Sequence, residues 1–280
     1  MEHLEKKIDF VFLDSGTGGI PYMLDLKEKC PNATCIYVGD TAHFPYGEKS
    51  ESKIISCAQN VVQHVIEKWQ PRTIVIACNT MSVTALSALR TQFPNIPFVG
   101  TVPAIRLAGR ESKNRKIGLL ATNATVQHQY TQKLIDDFAS DCVVEKRGDP
   151  ALVAFVEHRL FFATEAEKEE AVKPAVDFFA EKNCDTIILG CTHFTHIADT
   201  MRKVAGKNVH VIDSRNGVSC RALDVAFQGM PLTEISEKQC ANDESFFVTK
   251  QPSTAEEIEY KTLCAHFGIK WGGTMQFSVR

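Results

Sequence analysis

None of the ten cysteines form a Cys-x-x-Cys pair. Zinc ribbons and thioredoxin-like redox motifs are built on that spacing, so neither is supported. The sequence has no apolar run of roughly 18 residues, so no membrane partner or membrane span is expected. It has no basic excess either: 31 Lys plus Arg stand against 34 Asp plus Glu, a formal net charge of −3. Nucleic-acid binders usually carry such an excess, so no nucleic-acid partner is expected. Residues 1–7 are charged and lead straight into a strand-like segment, without the apolar stretch of a signal peptide. A cytoplasmic location with free thiols is therefore expected, most of the cysteines acting as small buried hydrophobes. Low-complexity tracts and a clear interdomain linker are also missing.

What is present is an ordinary globular balance: 280 residues, 44% apolar and 23% charged. That length suits one or two domains, each able to bury a sizeable core. Short, nearly continuous apolar runs occur at 8–13, 35–38, 73–77, 98–99, 117–120, 143–144, 186–189 and 209–212. Such runs read as strands buried on both faces. Helix-length stretches at 51–69, 81–91, 125–138 and 164–182 lie between them, with capping signals at Ser50 and at Thr164 followed by Glu167. The alternation predicts an α/β protein with mainly parallel sheets flanked by helices.

Residues 72–80, Arg-Thr-Ile-Val-Ile-Ala-Cys-Asn-Thr, read closely like residues 185–193, Asp-Thr-Ile-Ile-Leu-Gly-Cys-Thr-His. Each is an apolar strand that ends in a small residue, a cysteine and two polar residues. A weaker pair matches the strand ending in Asp14-Ser15 with the one ending in Thr122-Asn123. Two similar α/β halves follow.

Ligands of open parallel sheets bind beyond the carboxyl ends of the strands. Four polar segments fall there: Asp14-Ser15-Gly16-Thr17-Gly18-Gly19, Gly39 through Gly47, Cys78-Asn79-Thr80 and Cys191-Thr192-His193. The first is glycine-rich, and its N–H groups could bind a carboxylate at a helix start. It matches no nucleotide loop, and a tight strand-to-helix turn would equally explain its glycines. Cys78 and Cys191 each follow a strand and should precede a helix, whose N-terminus and polar neighbours can lower a thiol pKa. Asp14 in one half and His193 in the other could exchange protons with them. The Cys191-x-His193-x-x-His196 spacing lacks the further ligands of a metal site, so no metal is expected. No lysine stands in a recognisable pyridoxal setting. Two matched thiols at two matched sheet tips suit inversion of a carbon centre. One thiolate would take a proton from one face while the other thiol delivers one to the opposite face. Backbone N–H groups and the side chains of Ser15, Asn79, Thr80 and Thr192 could steady the charge that develops on a substrate carboxylate.

The four motifs, in this order, resemble those of the glutamate racemases, cofactor-independent enzymes that supply D-glutamate for peptidoglycan. The resemblance runs over most of the chain. It implies two pseudo-symmetric α/β domains, residues 1–100 plus 213–280 and residues 101–212, with the active site in the cleft between them. It also implies glutamate as substrate, no cofactor, and a homodimer among the family's arrangements. By the same resemblance Cys78 acts on the D-glutamate proton and Cys191 on that of L-glutamate, assisted by Asp14 and His193. Asp14, Ser15, Tyr46, Gly47, Asn79, Thr80, Thr192 and His193 would contact substrate. Thr122 and Thr125 would bind its carboxylate, and Glu157 matches an acid near the site. Three departures stand out: Phe194-Thr195-His196 replaces the usual Tyr-Pro-Leu, Ala121 replaces a glycine, and the usual Cys-Pro before Glu157 is missing. These touch pocket shape and helix entry more than proton transfer. A racemase or isomerase acting on aspartate or a hydantoin is the nearest alternative. A binding protein that kept the scaffold is the other.

Overall fold

The computed structural model describes residues 8–228 and 244–275. Two parallel sheets carry the fold. The first contains β1 (Phe10–Asp14), β2 (Cys35–Gly39), β3 (Thr73–Ile76), β4 (Phe98–Gly100), β9 (Ser245–Val248) and β10 (Lys270–Thr274), in the order β10-β9-β2-β1-β3-β4. The second contains β5 (Lys116–Ala121), β6 (Val143–Gly148), β7 (Thr186–Leu189) and β8 (His210–Ile212), in the order β6-β5-β7-β8. All pairings are parallel.

The internal repeat is visible in this topology. The order β2-β1-β3-β4 in one sheet recurs as β6-β5-β7-β8 in the other. Register makes the match residue by residue. Leu13 pairs with Ile76 as Leu120 pairs with Leu189, so Cys78 and Cys191 occupy equivalent places. The same register makes Asp14 the equivalent of Ala121 and Ser15 the equivalent of Thr122. The second pairing read from the sequence is therefore one residue out of step.

Strands buried on both faces need helices on both faces. Phe10 and Phe12 of β1 pack with α1 (Ile20–Lys29), α10 (Arg215–Phe227) and α11 (Thr254–Phe267). Val11 and Leu13 face α2 (Glu51–Trp69) and α3 (Asn79–Gln92). Each such buried side chain contributes about 1.5–3 kcal/mol relative to exposure. In the second sheet, Ile187 and Leu189 pack with α7 (Pro150–His158), α8 (Glu165–Glu181) and α9 (Ala198–Ala205). Ile117 and Leu119 face α4 (Ile105–Glu111) and α6 (Gln129–Phe138).

Several elements differ from their sequence expectation. The run at 143–144 is not a doubly buried strand: β6 continues through Glu145, Lys146 and Arg147 at the sheet edge, where charge deters further strand pairing. The stretch 125–138 is two helices, α5 (Asn123–Gln127) and α6. His128 between them is extended, and its Nδ1 accepts the Tyr130 N–H. Cys78 caps α3, but Cys191 opens onto a 3₁₀ turn, Thr192–Ile197, rather than an α-helix. Thr164 forms a full capping box with Glu167. Cys30, Cys35, Cys57, Cys184 and Cys264 are buried, whereas Cys142 is half-buried and Cys220 exposed; Cys240 lies outside the described residues.

Candidate active site

The two sheets present their carboxyl ends to one cavity. Ser15, Tyr46, Gly47, Cys78, Asn79 and Thr80 line it from the first half, and Thr122, Cys191, Thr192 and His193 from the second. Its volume is about 80 Å³, below the roughly 300 Å³ and more of drug-sized ligand sites, so it suits a small metabolite. Asp14, Thr125 and Glu157 stand behind this lining.

Asp14 ends β1 and is fully buried. Its Oδ1 accepts the Ser15 N–H at 2.6 Å, and its Oδ2 accepts hydroxyls from Thr192 at 3.1 Å and Tyr37 at 3.3 Å. Burial pushes its carboxyl above the ordinary value, and the positive His193 only partly offsets this. The Cys78 thiol lies beside that carboxyl. Burial, then the Asp14 charge, push the thiol well above its usual value. The helix end does act on it, through the Met81 N–H, but more weakly. The expected lowering of the Cys78 pKa is thus overturned: Cys78 rests as a thiol beside a carboxyl able to exchange its proton.

The second half is built differently. Cys191 Sγ lies 3.7 Å from His193 Nδ1, and His193 Nε2 lies 2.8 Å from Glu157 Oε2. Burial opposes charge on the ring, but the contacts with Cys191 and Glu157 outweigh it and hold His193 well above its ordinary value. Glu157, despite burial, is brought down to about 2 by His193 and by Thr17. The pair is therefore an imidazolium and a carboxylate, with a ring N–H turned toward the Cys191 sulfur.

The glycine loop earns its composition here. A Cβ on Gly16 would sit 2.6 Å from Glu157 Oε1, and one on Gly18 would sit 2.5 Å from His193 Nδ1. Two of its amides are already taken: Thr17 N–H donates to Glu157 Oε2 at 2.9 Å and Gly19 N–H to the Tyr37 hydroxyl at 2.9 Å. The loop does hold a carboxylate, but it is the protein's own.

The remaining polar groups suit an amino acid. Both amide atoms of buried Asn79 lack a hydrogen-bond partner, an arrangement that normally calls for one. Thr80, Thr122 and Thr125 form a hydroxyl cluster that joins the halves, with Thr80 2.8 Å from Thr122 and 3.3 Å from Thr125. Tyr46 donates its hydroxyl to Asp40 at 2.6 Å, and Thr249 does so at 2.7 Å. Tyr46 thus offers the cavity its ring, and the loop carrying it is tied down. His196 faces the Thr17 carbonyl at 3.2 Å rather than converging with Cys191 and His193. Among the described residues no group of three or more His, Cys, Asp or Glu could hold a metal ion.

Sequence reasoning missed Thr17, Tyr37 and Phe44 as working parts. Tyr37 was detectable as a lone hydroxyl in an apolar strand. Phe44, whose ring centroid lies 5.8 Å from that of His193, was visible only as part of its segment.

Residues 25–216 match the model of a protein family described as Asp/Glu/hydantoin racemase. The glutamate racemase of Treponema pallidum is 37% identical over 273 residues, 98% of each chain. That of Actinobacillus pleuropneumoniae serotype 3 is 36% identical, with 86% of this chain and 92% of the relative covered. The crystal structure of Escherichia coli glutamate racemase, solved with L-glutamate and the activator UDP-MurNAc-Ala, superposes with a TM-score of 0.82 at 30% identity. That match covers 95% of this chain and 98% of the other.

Proposed function

Because the chain belongs to the Asp/Glu/hydantoin racemase family, and is therefore an amino-acid racemase, we propose that it interconverts L- and D-glutamate by two-cysteine proton transfer. One observation carries this reading: Cys78 and Cys191, equivalent residues of the two halves, line the same small cavity. In the L-to-D direction Cys191, as thiolate, takes the α-proton, and the neighbouring His193 imidazolium steadies the thiolate before it does so. Cys78 delivers a proton to the opposite face and Asp14 restores it. The reverse direction exchanges the roles. The resting Cys78 thiol suits the L-to-D direction.

The α-proton is a very weak acid, so the carbanion must be steadied as it forms. The Asn79 amide and the hydroxyls of Ser15, Thr80, Thr122 and Thr192 supply dipoles for the substrate carboxylate. Thr125 and Gly47 shape that cradle. The two thiols supply acid and base, so the reaction calls on no cofactor. Under this reading D-glutamate feeds peptidoglycan synthesis in the cytoplasm. Among the described residues no helix is long and apolar enough to cross a membrane.

The test is solvent exchange. Purified protein, without added pyridoxal phosphate, is incubated in D2O with each glutamate enantiomer. Proton NMR follows loss of the α-proton, and circular dichroism follows handedness. Exchange from both enantiomers together with racemisation is expected. Silence with glutamate and turnover of aspartate would move the substrate, and silence with both would overturn the reading.

A further inference from the structure

We propose that Thr17 is a positioning residue that reaches across the cleft to keep the shared proton on His193 rather than on Glu157. The inference rests on the racemase reading for its catalytic consequence but on geometry for itself. Thr17 belongs to the loop after β1, in the first half. Glu157 belongs to α7, in the second. Thr17 donates twice to one oxygen, Glu157 Oε2, from its N–H at 2.9 Å and from Oγ1 at 2.7 Å. That same oxygen lies 2.8 Å from His193 Nε2.

An acceptor that receives two donors besides the imidazole is stabilised as an anion. With the carboxylate stabilised, the proton between the pair sits on Nε2, and the ring whose Nδ1 faces Cys191 keeps its positive charge. Removing the Thr17 hydroxyl makes Glu157 the stronger base, and the proton moves toward it. The ring then loses imidazolium character. Other groups facing the pair are Asp14, Tyr37, Cys191, His196 and Tyr260. None of these donates a hydrogen bond to Glu157 Oε2 among the described contacts except through His193. The contact also crosses between the halves, so the base pair in the second half is completed only when the first-half loop is against it. The crowding of Gly16 and Gly18 against Glu157 and His193 fixes that approach.

The experiment compares Thr17→Val with Thr17→Ser in the full chain, with protein labelled by ¹⁵N at histidine. His193→Gln serves only to assign the His193 signals. At neutral pH the His193 ring signals of Thr17→Val should move toward the neutral-imidazole pattern, while Thr17→Ser keeps the wild-type pattern. Loss of a hydrogen bond to a charged group should lower kcat/KM about tenfold in Thr17→Val, and Thr17→Ser should stay within about twofold. Thr17→Ala repeats the loss of the hydroxyl if the valine variant does not fold. His193 signals that superimpose on wild type in a folded variant lacking the hydroxyl would overturn the proposal. Failure of the wild-type protein to racemise glutamate would instead overturn the reaction, and the ring signals would still decide the role of Thr17.

Discussion

Cys78 and Cys191 sit at the ends of equivalent strands, yet their surroundings are not copies of each other. The register that equates the thiols places Ala121 where the first half has Asp14, and His193 where the first half has Thr80. The first thiol lies beside an acid at the tip of the neighbouring strand. The second lies beside an imidazole on its own turn, with Glu157 and Thr17 behind it. The one group is a carboxyl that burial resists charging; the other is a cation held by a buried ion pair. A duplicated scaffold thus offers two places from which a thiol can be reached, and each half uses a different one. A carboxyl held toward its neutral form beside one thiol and a cation beside the other suit a reaction in which one thiol supplies a proton while the other, as thiolate, takes one.

The sharpest way to break the comparison is to remove one thiol at a time. Cys78→Ala and Cys191→Ala should each lower racemisation by roughly 10⁴-fold or more, since the missing group is acid in one direction and base in the other. Circular dichroism of each glutamate enantiomer measures this. Exchange of the α-proton in D2O then separates the halves. Cys191→Ala should exchange only D-glutamate, and Cys78→Ala only L-glutamate. Normal turnover in either variant would sink the two-thiol mechanism.

Much of this arrangement was legible in the sequence because the relevant signals are local. An apolar run that stops at a small residue, a cysteine and polar residues marks a buried strand and its tip, and both thiol segments showed it. Capping signals at Ser50 and Thr164 marked two helix starts for the same reason. What was not legible depends on register or on partners distant in sequence. The one-residue offset between Asp14 and Thr122 appears only once strands pair. The Cys78 thiol was expected to be lowered by its helix end, and burial next to Asp14 decides the opposite. The strand β9, Ser-Phe-Phe-Val, and the strand β10, with two glycines, carry too little periodic signal to be read alone. Thr17 was visible only as one member of the glycine-rich segment, because its partner is 140 positions away.

A milder test removes the helpers and keeps the thiols. Asp14→Asn and His193→Asn should each cost about 10²-fold in turnover, the usual range for a positioned acid or base. The equilibrium constant of a racemisation is one, so kcat/KM must fall equally from both enantiomers. The asymmetry between the halves must therefore appear in kcat for L- against D-glutamate, with the two variants biased in opposite senses. Equal changes of kcat in both directions for both variants would mean that the helpers are not tied to separate thiols.

The smallest expected effect concerns stability, and its sign differs between the halves. Glu157 is held at about 2 in the folded protein, against an ordinary Glu value of about 4.3. A carboxyl depressed on folding adds stability that is fully present above the ordinary value and is lost as pH falls toward the folded one. Asp14 is displaced the other way, because burial raises it. Its ionisation opposes folding once pH exceeds the ordinary Asp range, and that penalty is missing in acid. At neutral pH Glu157→Gln should therefore melt roughly 5 °C below wild type, and Asp14→Asn a few degrees above it. The Glu157 difference should shrink as pH falls from about 4 toward about 2, whereas the Asp14 difference should shrink earlier, as pH falls through its raised folded value, and be gone below about 4. Thermal melts of the three proteins between about pH 7 and pH 3 measure this. Asp14→Asn melting below wild type at neutral pH would show that its bonds to Ser15, Tyr37 and Thr192 outweigh the cost of burying its charge. The first half would then hold its acid as the second half does, through donors rather than against burial.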